Sequence, residues 1–268
     1  MSDAAQHPGD AENLPRRSSL LIGLFSFYVR HYVRRHFHAV RVARETLPQC
    51  DPDRPLLVYA NHGSWWDPLI CLVAAVEVFP DRSHYAPMDE EALARYRFFS
   101  RLGFFGVEPD SRRGAVALLR TGAAILARPG ATLWITPQGR FADPRERPVR
   151  LKPGIGHLAR RVGHCDLLPL AIEYPFGEER FPEALLRFGP VQRAEDHAEE
   201  HGNAVTESLA ASLERTQDAL AEVAIARELS GFEILLRGRA GVGGVYDLWR
   251  RLKAALRGEK FRAAHGSE

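Results

Sequence analysis

Short apolar runs alternate with helical segments through the middle of this chain, and that alternation restricts the fold more than any other feature. The runs have the length and composition of buried strands and cover 56–60, 83–88, 104–109, 131–137 and 165–174. Helices are predicted between them, over 67–79, 90–103, 114–130 and 153–163. Repeated strand–helix units of this length favour an α/β fold with a mainly parallel sheet flanked by helices.

Further elements follow the same units. Run 165–174 is apolar enough for a central strand, and 184–192 is predicted to add an edge strand. Residues 195–229 are charged and alanine-rich, which predicts a long helix. We therefore expect the α/β domain to cover 50–230.

The chain is expected to begin with a disordered lead over residues 1–17, which are polar and show no apolar period. This lead does not resemble a signal peptide, since its first charges are acidic and no cleavage site follows an apolar stretch.

The apolar run at 20–29 is about half of the ~20 residues that a membrane-spanning helix needs. Arginines recur beyond it at helical spacing among aromatic and aliphatic residues. Residues 18–48 are therefore predicted as an amphipathic helical segment at a membrane interface. The alternative is a first helix that packs on its own domain and solvates its basic face.

The formal net charge of +2 hides an uneven distribution. Residues 16–44 contain seven arginines and no acid, and residues 237–262 contain eight basic residues and two acids. Residues 231–268 are accordingly predicted as a basic amphipathic tail. Apolar residues lie among the basic ones at both ends, which favours an anionic membrane surface over nucleic acid as the partner. The expected location is peripheral or monotopic, on the cytoplasmic side of the cell membrane. Three widely spaced cysteines agree with a reducing compartment.

The loop after the first of these strands contains Asn61, His62 and Asp67. A histidine can remove a proton from a hydroxyl near neutral pH, and a carboxylate can orient its ring. Five residues of continuous helix would separate the two side chains by about 140°. They can meet only if His62 lies in the loop and the helix starts at Asp67, a start that Asp67-Pro68 predicts. The alternative is a capping aspartate beside an ordinary surface histidine.

Two other loops offer donors. Gln138, Gly139 and Arg140 follow the strand at 131–137, where glycine permits close backbone approach. Arg112 and Arg113 follow the strand at 104–109 and suit a phosphate, or solvent.

Taken together, these loops resemble the lysophospholipid and 1-acylglycerol-phosphate acyltransferase family. Asn61-His62 with Asp67 is similar to its N-H-x-x-x-x-D signature, and 137–141 (P-Q-G-R-F) to its F-P-E-G-T-R block. Segments similar to the family's three remaining blocks are 103–109, 151–154 and 168–172. All five occur in family order over about residues 55–190.

The resemblance implies an O-acyltransferase that moves a fatty acyl group from acyl-CoA or acyl-carrier protein to a hydroxyl of a lipid acceptor. It implies that His62 is the general base and Asp67 its orienting partner, with no covalent acyl-enzyme. It also implies an N-terminal helical pair, and no cofactor or metal besides the acyl-donor substrate. The implied substrate-binding residues are Asn61, Arg112, Arg113, Gln138, Gly139, Arg140 and Lys152.

The chain departs from the family pattern beside the reacting groups. Gln138 replaces Glu, Arg140-Phe141 replaces Thr-Arg, and Pro109 replaces an Arg of the middle block, for which Arg112 or Arg113 is a nearby substitute. That leaves the acceptor open among a glycerol phosphate, a lysophospholipid, a glycolipid and a glycosylated isoprenoid.

Other functions are less consistent with the sequence. It contains no G-x-S-x-G, H-E-x-x-H or phosphate-binding glycine motif. A catalytically silent, lipid-binding member of the same fold is the non-enzymatic alternative.

Overall fold

The computed structural model describes residues 14–239 and contains both helices and strands. The helices are α1 (Ser19–His36), α2 (Asp67–Val78), α3 (Glu90–Arg95), α4 (Arg112–Leu126), α5 (Gly154–Val162) and α6 (Gly202–Ala226). The strands are β1 (Ala39–Ala43), β2 (Leu56–Ala60), β3 (Ser83–Asp89), β4 (Phe104–Val107), β5 (Ala131–Ile135), β6 (Asp166–Glu173), β7 (Glu183–Phe188), β8 (Gln192–Arg193) and β9 (Phe232–Arg237). Four short 3-10 turns complete the described elements, at 44–46, 97–102, 194–197 and 229–231.

Within residues 14–239 the nine strands form one sheet in the order β4-β3-β5-β2-β6-β7-β1-β9, with β8 paired to β6. The first five strands of this order are parallel. β7 and β1 run in the opposite direction, and β9 is antiparallel to β1. The predicted mainly parallel α/β fold is confirmed. Because the ends of parallel strands meet at one edge, the loops after β2, β4, β5 and β6 lie together there.

Helices cover both faces of the sheet, which explains why β2 and β5 are buried along their whole length. On one face, α1 and α2 pack with residues such as Val33 and Ile70. On the other face, α4, α5 and α6 pack with residues such as Leu126, Leu158 and Leu209. Two separate apolar clusters, one on each face, therefore support the sheet and the edge at which these loops lie.

The N-terminal segment is only partly helical, which corrects the prediction of a helical segment over 18–48. α1 ends at His36, and residues 39–43 form β1 between β7 and β9. The sequence Ala-Val-Arg-Val-Ala places Val40 and Val42 in the core, and that period of two fits a strand better than a helix. The implied helical pair is also wrong: within residues 14–48, α1 is followed by a strand and one 3-10 turn.

Other boundaries change for the same reason of pairing. β7 is an interior strand, not the predicted edge strand, because β1 pairs with its outer side. Residues 232–237 of the predicted tail form β9. Leu14 packs on the second apolar cluster and Arg17 donates to Ser83 at 2.5 Å, so the last residues of the predicted disordered lead are ordered. Residues 1–13 and the rest of the predicted tail, 240–268, lie outside the described part.

Candidate active site

His62 and Asp67 meet in the loop between β2 and α2, as the start of the helix at Asp67 predicted. The Nδ1 atom of His62 lies 2.7 Å from Oδ2 of Asp67. The carboxylate is fully buried, whereas the imidazole is partly exposed. Because a carboxylate accepts hydrogen bonds, Nδ1 donates and Nε2 is left as the basic nitrogen of the ring.

The carboxylate of Asp67 faces the loop and α2 has no side-chain cap, so the alternative of a capping aspartate is wrong. Oδ2 also accepts from the backbone N–H of Ser64 at 2.9 Å, and Oδ1 accepts from the Tyr174 hydroxyl at 2.5 Å. Tyr174 directly follows β6 and lies in none of the sequence motifs. Burial, reinforced by the Asp67 carboxylate, raises the pKa of Tyr174, and this keeps its hydroxyl protonated as a donor.

The loop after β5 fixes the backbone of His62 from the opposite side. The N–H of His62 donates to Oε1 of Gln138 at 2.8 Å, and the carbonyl of His62 accepts from the N–H of Ala142 at 2.8 Å. The Phe141 ring lies over the imidazole with 4.4 Å between centroids. Gln138 thus contacts His62 through the backbone N–H and not through the imidazole ring. An amide oxygen can accept that bond as well as the family's carboxylate can.

Asn61, predicted as a substrate-binding residue, is buried, and its amide is bonded to the protein interior instead. Its Nδ2 donates to the carbonyl of Ile172 at 3.0 Å, and its Oδ1 accepts from the N–H of Ile172 at 2.8 Å. Both ends of the amide are therefore used to join the loop between β2 and α2 to β6. Asn61 positions the loop.

The predicted cationic residues lie in exposed positions, and three of them have acidic partners. Lys152 Nζ lies 2.5 Å from Asp110, Arg113 pairs with Glu90 and Glu108, and Arg140 pairs with Glu146. Arg112 is exposed at the first position of α4. Gly139 has φ +64°, and a Cβ there would lie 2.3 Å from Cε of Lys152, so only glycine lets the lysine stem cross the loop.

The loop after β5 is attached to α6 by three contacts that sequence motifs did not reveal. The N–H of Val149 donates to Glu214 at 2.6 Å, and Nε of Arg147 donates to Asp218 at 2.9 Å. The amide of Gln217 donates to the carbonyl of Pro144 at 2.9 Å. α6 thereby supports the segment that carries Gln138 and Phe141.

A cavity of about 270 Å³ reaches the dyad between α2 and strands β3 and β5. Its lining is mostly apolar and includes His62, Leu72, Ala75, Tyr85, Ala86, Met88, Leu102, Phe104, Trp134 and Ile135. His84 also lines it, but Trp134 donates to its Nδ1 at 3.2 Å and burial lowers the pKa of the ring to about 4. Apart from His62, no side chain of this lining is charged at neutral pH. Two larger grooves, of about 510 and 490 Å³, lie elsewhere in the described part and contain neither His62 nor Asp67.

The carboxyl edge of this helix-flanked, mainly parallel sheet carries a histidine–aspartate pair next to a mostly apolar cavity, and a histidine in such a pair can accept a proton. A model of the Acyltransferase family matches residues 39–173, just over half of the chain. The chain belongs to this family, as its motifs predicted, and the protein is an acyltransferase. No curated protein matches the chain in sequence.

Proposed function

We propose that the protein transfers a fatty acyl group from an acyl thioester, acyl-CoA or acyl-carrier protein, to a hydroxyl of a lipid acceptor. The observation that carries this proposal is the pairing of His62 with a buried Asp67 at the end of an apolar cavity lined by His62 itself. An apolar cavity suits an acyl chain, and the basic nitrogen of His62 suits a hydroxyl.

In the proposed reaction, Nε2 of His62 takes the proton from the acceptor hydroxyl, and the hydroxyl oxygen attacks the thioester carbonyl carbon. The tetrahedral intermediate then collapses, the carbon–sulfur bond breaks, and the leaving thiolate takes the proton from His62. Asp67 holds Nδ1–H and stabilises the imidazolium that forms between the two steps. The products are an ester and a free thiol, so protons and electrons balance without a cofactor.

The thiol of Cys71 lies in the cavity, but direct transfer fits the site better than a covalent acyl-enzyme. Burial raises the pKa of Cys71 far above neutrality, so the thiol stays protonated and is a weak nucleophile. The hydroxyl of Ser64 accepts from the N–H of Trp66 at 3.3 Å within the loop. We therefore assign neither residue a catalytic role.

The experiment is to incubate the full chain with radiolabelled acyl-CoA, or labelled acyl-carrier protein, and a panel of lipid acceptors. The panel pairs each phosphorylated acceptor with a neutral one: lysophosphatidic acid with monoacylglycerol, and a glycosylated lipid with its phosphorylated form. We expect labelled ester on at least one acceptor and none on acceptors whose hydroxyls are blocked. Specific binding of acyl donor or lipid without any ester would favour a non-catalytic lipid-binding member.

A neutral acceptor is the second candidate, and Phe141 favours it. The Phe141 side chain is 57% exposed and lies over the imidazole, at the place where the family block has its arginine. Arg140, Arg113 and Lys152 are each paired with an acid. An aromatic face beside the reacting hydroxyl suits a sugar or an apolar group better than a phosphate. The paired panel distinguishes the two candidates.

We further propose that the protein works peripherally on an anionic membrane, on the cytoplasmic side. No helix within residues 14–239 has the length and apolar character to cross a bilayer. The outer face of α1, however, exposes large apolar side chains at helical spacing: Leu20, Leu24, Phe27 and Tyr28. Such a face, next to arginines, suits the interface of a bilayer, and nucleic acid is not an expected partner.

The catalytic loop and the 97–102 turn extend this surface. Phe98 is exposed and packs against Phe25 of α1 with 6.1 Å between centroids. Trp65 is exposed and lies next to Trp66, which contacts Tyr32 of α1. One arginine of α1, Arg30, forms an ion pair with Glu77 of α2, which neutralises its charge. Docking through this surface would place the loop that carries His62 against the lipid.

Phe27→Glu should weaken binding to vesicles that contain phosphatidylglycerol by about tenfold or more, since it replaces an apolar side chain that is 73% exposed on α1 with a charge. Co-flotation at low and high salt measures the effect, and binding by the unchanged protein should largely persist at high salt. Ile225→Glu is the matched control, because Ile225 is 82% exposed on α6. Equal losses in both variants, or none in Phe27→Glu, would contradict docking through α1.

A further inference from the structure

The two oxygens of the Asp67 carboxylate have different partners. Oδ2 accepts from Nδ1 of His62 and from the backbone of Ser64, both within the same loop. Oδ1 accepts from the hydroxyl of Tyr174 at 2.5 Å, its one donor among the residues that the structure describes. A fully buried carboxylate oxygen depends strongly on such a donor, since no water replaces it.

The position of Tyr174 is set by β6 and not by the catalytic loop. Two residues earlier, Ile172 forms two hydrogen bonds with Asn61, which fixes the register between the strand and the loop. Tyr174 lies two residues beyond this fixed point, and its hydroxyl reaches Asp67 at the start of α2. The ring packs on Phe37 at 5.8 Å between centroids, and Phe37 in turn contacts Trp66 at the start of α2. The tyrosine is thus held by its attachment to β6, by Phe37 and, through Phe37, by Trp66.

We propose that Tyr174 is a positioning residue for the dyad. Its hydroxyl holds Oδ1 of Asp67, so that Oδ2 stays directed at Nδ1 of His62 and the imidazole keeps the tautomer in which Nε2 is free to accept a proton. Without that hydrogen bond, the carboxylate can turn about its Cβ–Cγ bond and share both oxygens among the two remaining donors. The catalytic part of this inference rests on the proposed role of His62 as general base.

Tyr174→Phe tests the inference, since it removes the hydroxyl and keeps the ring against Phe37. We expect kcat to fall by about tenfold or more while KM for the acyl donor stays unchanged, because Tyr174 acts through Asp67 and not on substrate. In the free protein, ¹⁵N NMR of labelled histidine should show the Nδ1–H tautomer of His62 in the unchanged chain and a mixture of tautomers in the variant. The NMR result does not depend on turnover, so it separates failure of this inference from failure of the proposed function.

Tyr59→Phe is the matched control. Tyr59 is a buried tyrosine in the adjacent strand β2, and it packs in the cluster on the α4–α6 face, on the other side of the sheet from α2. We expect it to change neither kcat nor the tautomer. An unaltered tautomer in Tyr174→Phe, or an altered KM with unaltered kcat, would overturn the inference.

A second measurement applies if Tyr174→Phe does not fold. 3-Fluorotyrosine at position 174 keeps the hydroxyl, and its ¹⁹F signal should shift between the otherwise unchanged chain and Asp67→Asn. Asp67→Asn removes the negative charge next to the Tyr174 hydroxyl. An identical ¹⁹F signal in both proteins would therefore show that the hydroxyl does not contact Asp67, and would overturn the inference.

Discussion

His62→Ala should lower kcat for acyl transfer by about a hundredfold to ten-thousandfold, the range over which a general base contributes to such reactions. The side chain offers the basic nitrogen at the cavity. The other histidine of the described lining, His84, is a poor substitute, because burial lowers its pKa to about 4. The measurement is the initial rate of labelled ester formation at saturating donor and acceptor. KM for the donor should change little, since most of the apolar lining remains.

The fold should survive this substitution. The hydrogen bonds of His62 with Gln138 and Ala142 involve its backbone only, and Oδ2 of Asp67 keeps the N–H of Ser64. Circular dichroism and the melting temperature should therefore stay close to those of the unchanged chain. His201→Ala, at an exposed position just before α6, is the matched control and should retain full activity. Turnover in His62→Ala equal to this control would remove His62 from the mechanism.

Asp67→Asn should lower kcat by about a hundredfold or more, through loss of charge more than loss of geometry. An asparagine can turn its oxygen to His62 and Ser64 and its amide to Tyr174, whose hydroxyl oxygen can accept a hydrogen bond. What disappears is the negative charge that stabilises the imidazolium formed when His62 takes the proton. Rates measured from pH 6 to 9 test this, because a higher pH cannot restore that charge.

Asp166→Asn is the control for removing a buried carboxylate away from the site. Asp166 accepts from Nε of Arg54 at 2.5 Å at the start of β6, the opposite end of the strand from Tyr174. Its replacement should reduce thermal stability and leave kcat of the folded protein unchanged. If Asp67→Asn retained more than half of the normal kcat, the proposal that the His62–Asp67 pair acts as the general base would be wrong.

The strand before Asn61 and the helix start at Asp67-Pro68 are local signals, and they predicted the turn without which His62 and Asp67 could not meet. That the two side chains act as a pair was implied by the resemblance to the family's N-H-x-x-x-x-D signature. Tyr174 could not be found in this way. Its contact with Asp67 joins residues 107 apart and depends on the register of β2 with β6, which no short motif encodes. The position of Asn61 was missed for the same reason, because its amide bonds to β6, which is distant in sequence.

The strand β1 shows why the order of the fold was harder to predict than its class. Residues 39–43 follow an arginine-rich amphipathic helix, so a helical period appeared to continue through them. Pairing with β7 and β9, both distant in sequence, determines their conformation. Tertiary pairing overrides local preference most readily in strands, whose stability comes from their neighbours.

The attachment of the 143–149 segment to α6 bears on where the functional unit ends. The family match stops at residue 173, whereas Glu214, Gln217 and Asp218 lie in a helix beyond it. Strand β1, at the start of the match, likewise has both of its partners outside the match. The matched segment and the region after it are therefore packed together as one structural unit within residues 14–239. Swapping 39–173 alone between relatives would therefore separate the segment that carries Gln138 and Phe141 from the helix that supports it.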